Sequence, residues 1–159
     1  MKKVMVSVVL GLAALAALAQ DQPADKKVIK DQAEYSAYMA AFNTQDPVQK
    51  AAAMEAFIKQ YPNSVVKSDA LEQLVVAYTA AGNRAKLEET ATRILGDSPN
   101  NISALAIDTD FQRSQGTPES ITKAGASAQK GLKALDTWTK PEGMSDADFE
   151  TARNKMTEI

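Results

Sequence analysis

Apolar residues recur along this chain at helical spacing, and polar turns interrupt them at regular distances. From Lys26 to Asn43 the apolar positions Val28, Ile29, Tyr35, Tyr38, Met39 and Phe42 stand three, four or seven apart, which predicts one helix face. Asp46-Pro47 opens a second helix running to about Gln60, with Met54, Phe57, Ile58 and Tyr61 inward. A third begins between Ser64 and Ser68, with Ser68 as its candidate cap, and stops at Gly82. Asn83 caps a fourth that Gly96 ends, and Asn101 caps a fifth that Gly116 ends. Thr117-Pro118-Glu119 opens a sixth, whose stripe is Ile121, Ala124, Ala128, Leu132, Leu135 and Trp138. After a loop containing Pro141 and Gly143, Ser145-Asp146-Ala147-Asp148 opens a seventh. That helix is still running at Ile159, which predicts further sequence beyond it. No alternating strand pattern follows residue 19, so the expected class is all-α.

The turns repeat as well as the helices. Tyr61-Pro62-Asn63-Ser64 is matched by Ser98-Pro99-Asn100-Asn101, 37 residues later. Between them lie an apolar helix (Leu71, Leu74, Val75, Tyr78), the Gly82 stop and a second helix (Leu87, Ala91, Ile94, Leu95). Self-similarity at this distance predicts helical hairpins that stack because none can bury its apolar face alone.

These residues resemble a tetratricopeptide repeat, whose unit is about 34 residues. The likeness is best over 68–99, where Leu71, Leu74, Tyr78, Gly82, Ala91, Ile94, Leu95 and Pro99 stand at the family's packing and turn positions. Val75 replaces a usual glycine and Leu87 a usual alanine. The stretch from Ala53 to Ser64 resembles the variant in bacterial cell-envelope proteins such as the cell-division coordinator and outer-membrane assembly factors, with Val65-Val66-Lys67 lengthening the period. A third unit starts with Leu105 and Gly116 in register but lacks the closing proline. The resemblance implies a right-handed superhelix of stacked antiparallel hairpins over 20–138, in about three units. Residues 139–159 are then a loop and the start of a further helix. It also implies a noncatalytic adaptor or scaffold that binds a protein or peptide in a groove lined by first helices. The matching groove positions are Asp69, Glu72, Val76 and Thr79 in the second unit, and Ala106, Asp110 and Arg113 in the third. One subgroup of the family grips a C-terminal carboxylate with lysines and asparagines there. Acids at Asp69 and Glu72 disfavour that ligand and favour a polar or basic segment. Mixed charges at such positions equally suit an ordinary solvated face.

The start of the chain changes the picture of where this array works. Lys2 and Lys3 precede a run from Val4 to Leu18 that is apolar apart from Ser7 and Gly11, and Ala17-Leu18-Ala19 supplies small residues before Gln20. These are the three parts of a secretory signal, and they predict cleavage ahead of Gln20 and a periplasmic or secreted protein. The run is shorter than the ~20 apolar residues of a bilayer span, which argues against an uncleaved anchor. Cleavage leaves 140 residues and takes the net charge from −2 to −4, because only Lys2 and Lys3 are lost as charges. Such a chain offers no basic footprint for nucleic acid or anionic lipid.

The chain has no cysteine and no histidine. No disulfide supports it, no lipidated cysteine follows the signal, and histidine-based nucleophile pairs, zinc sites and general bases are unavailable. Nothing calls for a cofactor or a metal. Three Ser-x-x-Lys spacings occur (Ser64 with Lys67, Ser120 with Lys123, Ser127 with Lys130), but the companion motifs of the penicillin-binding enzymes are absent. Asp146, Asp148 and Glu150 alternate as in a calcium loop, yet Thr151 stands where the loop glycine belongs. The expectation is therefore no enzyme; a histidine-free hydrolase is the remote alternative, and a structural spacer in an envelope complex the nearer one. Tyr35, Met39 and Phe42 are expected to pack on Phe57 and Tyr61 as core, with groove anchors as the other reading.

Overall fold

A computed structural model places residues 27–140 and 144–157. The expected signal and its cut before Gln20, with the loop residues Pro141 and Gly143, lie outside the described residues. Seven helices and no strand make up what is described: α1 (Gln32–Phe42), α2 (Pro47–Gln60), α3 (Lys67–Ala80), α4 (Arg84–Asp97), α5 (Ile102–Gln115), α6 (Pro118–Asp136) and α7 (Asp146–Thr157). None of these helices is long and apolar enough to cross a membrane.

Short polar residues set most of the helix starts. Asp31, Asp46, Asn83 and Asn101 each accept a backbone N–H three residues ahead, at 2.7, 2.9, 3.2 and 2.9 Å. Each bond satisfies one of the amide donors that a first helical turn leaves open. Thr117 and Ser120 close a reciprocal capping box, and Ser145 accepts from Asp148 N–H at 3.1 Å. At Gly82 (φ +66°) the chain closes a paired C-terminal lock: Asn83 N–H donates to Tyr78 C=O and Gly82 N–H to Thr79 C=O.

Three expected boundaries move. The first helix starts at Gln32 because the Asp31 cap stops it there, which leaves Val28 and Ile29 in a lead-in without regular secondary structure. Ser68 is not a cap but sits in the first turn of α3, which has no side-chain cap at all. Gly96 does not end α4. Ser98 N–H still bonds to Ile94 C=O, and the helix stops only where Pro99 constrains the residue before it.

The repeated turn is real in its hydrogen bonding. Tyr61 C=O accepts from Ser64 N–H and Ser98 C=O accepts from Asn101 N–H, both at 3.0 Å, with proline and asparagine at the same two inner positions. After the first turn a second one follows, in which Lys67 N–H donates to Ser64 C=O. The added length is therefore Val65-Val66, and Lys67 already belongs to α3.

The chain divides into two compact units, with the boundary between Thr90 and Ala91, inside α4. In the first unit α1 packs on α2 and α2 on α3. Its buried side chains include Met54, Phe57 and Ile58 from α2, and Ala70, Leu71, Leu74, Ala77 and Tyr78 from α3. The Tyr78 hydroxyl donates to Glu55 on α2 at 3.2 Å, so the polar end of a core tyrosine is satisfied. Tyr38, rather than Tyr35, meets Phe57 (centroids 5.3 Å apart), and Phe57 meets Tyr61. Tyr35 and Phe42 are 47% and 40% exposed, which corrects the expectation that they are core. They flank Tyr38 on α1, and the Lys50 ammonium covers the Phe42 ring at 5.3 Å.

In the second unit α5 packs on α6 and α6 on α7. Ala91 and Ile94 are buried and Leu95 half-buried, while Pro99 lies exposed in its turn. Of the expected α6 stripe, Ala124 and Leu135 are buried and Ala128 is half-buried, whereas Ile121 and Leu132 are 48% and 45% exposed. Trp138 is buried two residues beyond the end of α6. It joins Leu135, Ala152 and Met156 in a cluster with Phe149, so α7 is bound into this unit.

Two glycine substitutions test the local account with opposite signs. Gly125 is an exposed residue inside α6, and a Cβ there meets nothing within 4 Å. Gly125→Ala is expected to stabilise the protein by about 0.5–1 kcal/mol through helix propensity. Gly82→Ala meets no atom either, yet places a side chain at positive φ and is expected to cost about 1–2 kcal/mol. Urea midpoints of the two variants should move in opposite directions.

Candidate functional site

Two of the expected groove residues form part of a polar cluster in the first unit. Asp69 and Glu72 lie one turn apart on α3, where the i, i+3 relation puts them on one face. Lys27, in the lead-in ahead of α1, reaches that face: its ammonium lies 2.8 Å from Asp69 Oδ1 and donates to Ser68 Oγ at 3.0 Å. Tyr38 on α1 adds its phenol to the same neighbourhood. Burial, then the charges of Asp69 and Glu72, push it up to about 12, so it stays a neutral hydroxyl throughout the neutral range.

Glu72 is the unusual member. Burial and the neighbouring Asp69 push its carboxyl up from 4.5 to about 7, against the opposing pull of Lys27. A carboxyl with a folded pKa above its unfolded value holds its proton more tightly in the folded chain. Its contribution to stability is therefore greatest at low pH and declines as pH rises from about 4.5 through about 7. Glu72→Gln is expected to flatten that slope and to raise stability above pH 7 by on the order of 1 kcal/mol, the half-buried site being partly screened. Urea unfolding at several pH values measures this directly.

The other expected groove positions divide. Val76 and Thr79 continue along α3 from Glu72, both half-buried, and the Thr79 hydroxyl is turned back to Val75 C=O at 2.7 Å. In the second unit Ala106 is half-buried against the Trp138–Met156 cluster, and Asp110 pairs with Arg113 at 3.3 Å on an exposed turn of α5. Sequence reasoning missed Lys27 and Tyr38 as members of the α3 cluster. Lys27 stands 42 residues from Asp69, and no local spacing announces that meeting.

The remaining motifs find structural employment. Ser120 belongs to the capping box, Ser127 Oγ donates to the Asp108 carboxylate, and Ser64 Oγ accepts from Val66 N–H at 3.1 Å. Lys123 pairs with Glu119 and not with Ser120. Asp146 pairs with Lys140, while Asp148 accepts from Ser145. A shallow cleft of about 50 Å³ in the second unit is lined by Leu105, Thr109, Ser127, Leu132 and Met156, among others, and is mostly apolar.

Comparison of the chain with protein-family models, with curated proteins and with solved structures gives no match.

Proposed function

We propose that this chain is an exported, noncatalytic binding protein of the tetratricopeptide type, working as an adaptor or scaffold in the bacterial envelope. The observation that carries this reading is the acidic pair Asp69 and Glu72 on α3, with the Tyr38 phenol nearby and a lysine already attracted to it. The repeated proline-asparagine turn and the buried packing residues Leu71, Leu74 and Tyr78 support the repeat architecture. A segment bearing lysine or arginine is the partner chemistry that complements this face. The side chains on it supply contact area from tyrosine and charge from carboxylates, the combination that suits reversible peptide binding.

The test is a pull-down from periplasm with the native chain and with a double Asp69→Asn, Glu72→Gln variant. A stoichiometric partner held by the native chain, released by moderate salt and lost with the variant, is expected. A partner retained equally by both sinks the acidic-face reading and favours the structural-spacer role instead. Mass spectrometry of the protein from its producing cell tests export separately, the expected mature chain beginning at Gln20.

A further inference from the structure

We infer that the cleft in the second unit binds a short primary alkylammonium ion, with its carbon chain between α5, α6 and α7 and its charged end toward Asp108. The walls are apolar: Leu105 comes from α5, Leu132 from α6 and Met156 from α7. Three hydroxyls complete the lining, those of Thr109, Ser127 and Thr157. Each has its proton committed elsewhere. Thr109 donates to Leu105 C=O at 2.7 Å, Thr157 donates to Arg153 C=O at 2.8 Å, and Ser127 donates to the Asp108 carboxylate. A hydroxyl carries one donor and two acceptor sites, so what remains at all three is oxygen lone pairs. The cleft therefore suits a ligand that brings its own N–H or O–H donors on a small apolar body.

Charge sharpens the choice. Asp108 stands next to Thr109 on α5, and its two hydrogen-bond donors, Ser127 Oγ and Gln112 Nε2, are both neutral. Lys123 feels the Asp108 charge, but its ammonium is paired with Glu119 at 2.8 Å. A negative charge thus stands behind the Ser127 hydroxyl, which favours a cation and opposes a carboxylate. Size limits the carbon chain. About 50 Å³ is several times the ~10–15 Å³ that one water occupies and well below the ~150 Å³ of a cavity that takes benzene, so a few carbons fit and a ring does not. Gly131 on α6 keeps that space open. Packing does not demand glycine there, because an added Cβ meets Leu105 Cβ at 3.7 Å, an ordinary contact. The site uses none of the residues on which the proposed function rests, so the two readings fail separately.

Nuclear magnetic resonance on the full chain decides it, with the methyl groups of Leu105, Leu132 and Met156 followed at constant ionic strength. Butylammonium, 1-butanol and butyrate are the probes. Saturable shifts are expected with butylammonium, at an affinity about fivefold above that for butanol, the factor for a unit charge pair at about 4 Å in bulk water. Butyrate should bind more weakly than either. Asp108→Asn keeps an acceptor for Ser127 and should bind butanol as before while losing the preference for the ammonium. Gly131→Ala keeps the helix and should weaken both probes by filling the space. Nα-acetyl-lysine amide carries the same chain and ammonium on a peptide backbone, and weaker binding than butylammonium is expected. Tighter binding overturns the free ion in favour of a partner's lysine side chain. Shifts that rise without saturating, or butyrate bound as well as butylammonium, overturn the site. A preference for the ammonium that survives in Asp108→Asn overturns the role given to that carboxylate.

Discussion

Replacing Leu74 by alanine is expected to lower stability by about 2–5 kcal/mol, the range for a large aliphatic side chain removed from a packed core. Leu74 has no exposure at all, and it lies mid-way along an α3 face whose other members, Ala70, Leu71, Ala77 and Tyr78, are buried with it. Their spacing of one, three and four residues keeps all five on the side of α3 that meets α2. The loss combines the transfer free energy of the missing carbons with the void they leave, and two flanking alanines give the site little with which to refill it. Set against a net stability of about 5–15 kcal/mol for an ordinary domain, the change is large enough to move a urea midpoint well outside error. Leu74→Met keeps the volume and should cost less than about 1.5 kcal/mol. An unchanged midpoint for Leu74→Ala would place this leucine outside the core and remove the spine on which the first unit depends.

The second large effect is expected at Trp138. It is 7% exposed, and its ring centroid lies 4.8 Å from that of Phe149 on α7. Trp138→Ala is expected to cost about 3–5 kcal/mol, because an indole is the largest side chain a cavity can lose. Leu135, Ala152 and Met156 share the cluster, so the same change deprives α7 of its main apolar partner. Hydrogen exchange should show α7 losing protection first. Retention of full α7 protection in the variant would show that Leu135 and Met156 hold that helix without the ring.

How far this fold could be read in advance depended on how local the determining interaction was. Caps are local, and Asp46, Asn83, Asn101, Thr117 and Ser145 were legible because each acts within three residues of itself. Gly82 and Gly116 were legible for the same reason, as both take positive φ at a helix end. Gly96 looks identical in sequence, but the proline three residues later sets the stop, so a glycine alone was an insufficient signal. Burial was less local. Periodicity put Tyr35, Tyr38, Met39 and Phe42 on one face, yet which ring lies under α2 depends on where α1 crosses it, and Tyr38 takes that place. Asp69 and Glu72, expected from the tetratricopeptide resemblance as groove positions, are three residues apart on α3, which helical spacing alone foretells, whereas Lys27 comes from a segment whose path no spacing encodes.

The placement of the aromatic rings has a practical consequence. All four tyrosines, Tyr35, Tyr38, Tyr61 and Tyr78, precede the boundary at Thr90, and the single tryptophan follows it. The protein thus carries two natural optical labels, one for each half. Indole emission excited selectively reports the melting of the later helices, and phenol absorbance reports that of the earlier ones. Overlaid traces would identify one cooperative transition, and separated traces would give each half its own free energy without a single foreign dye.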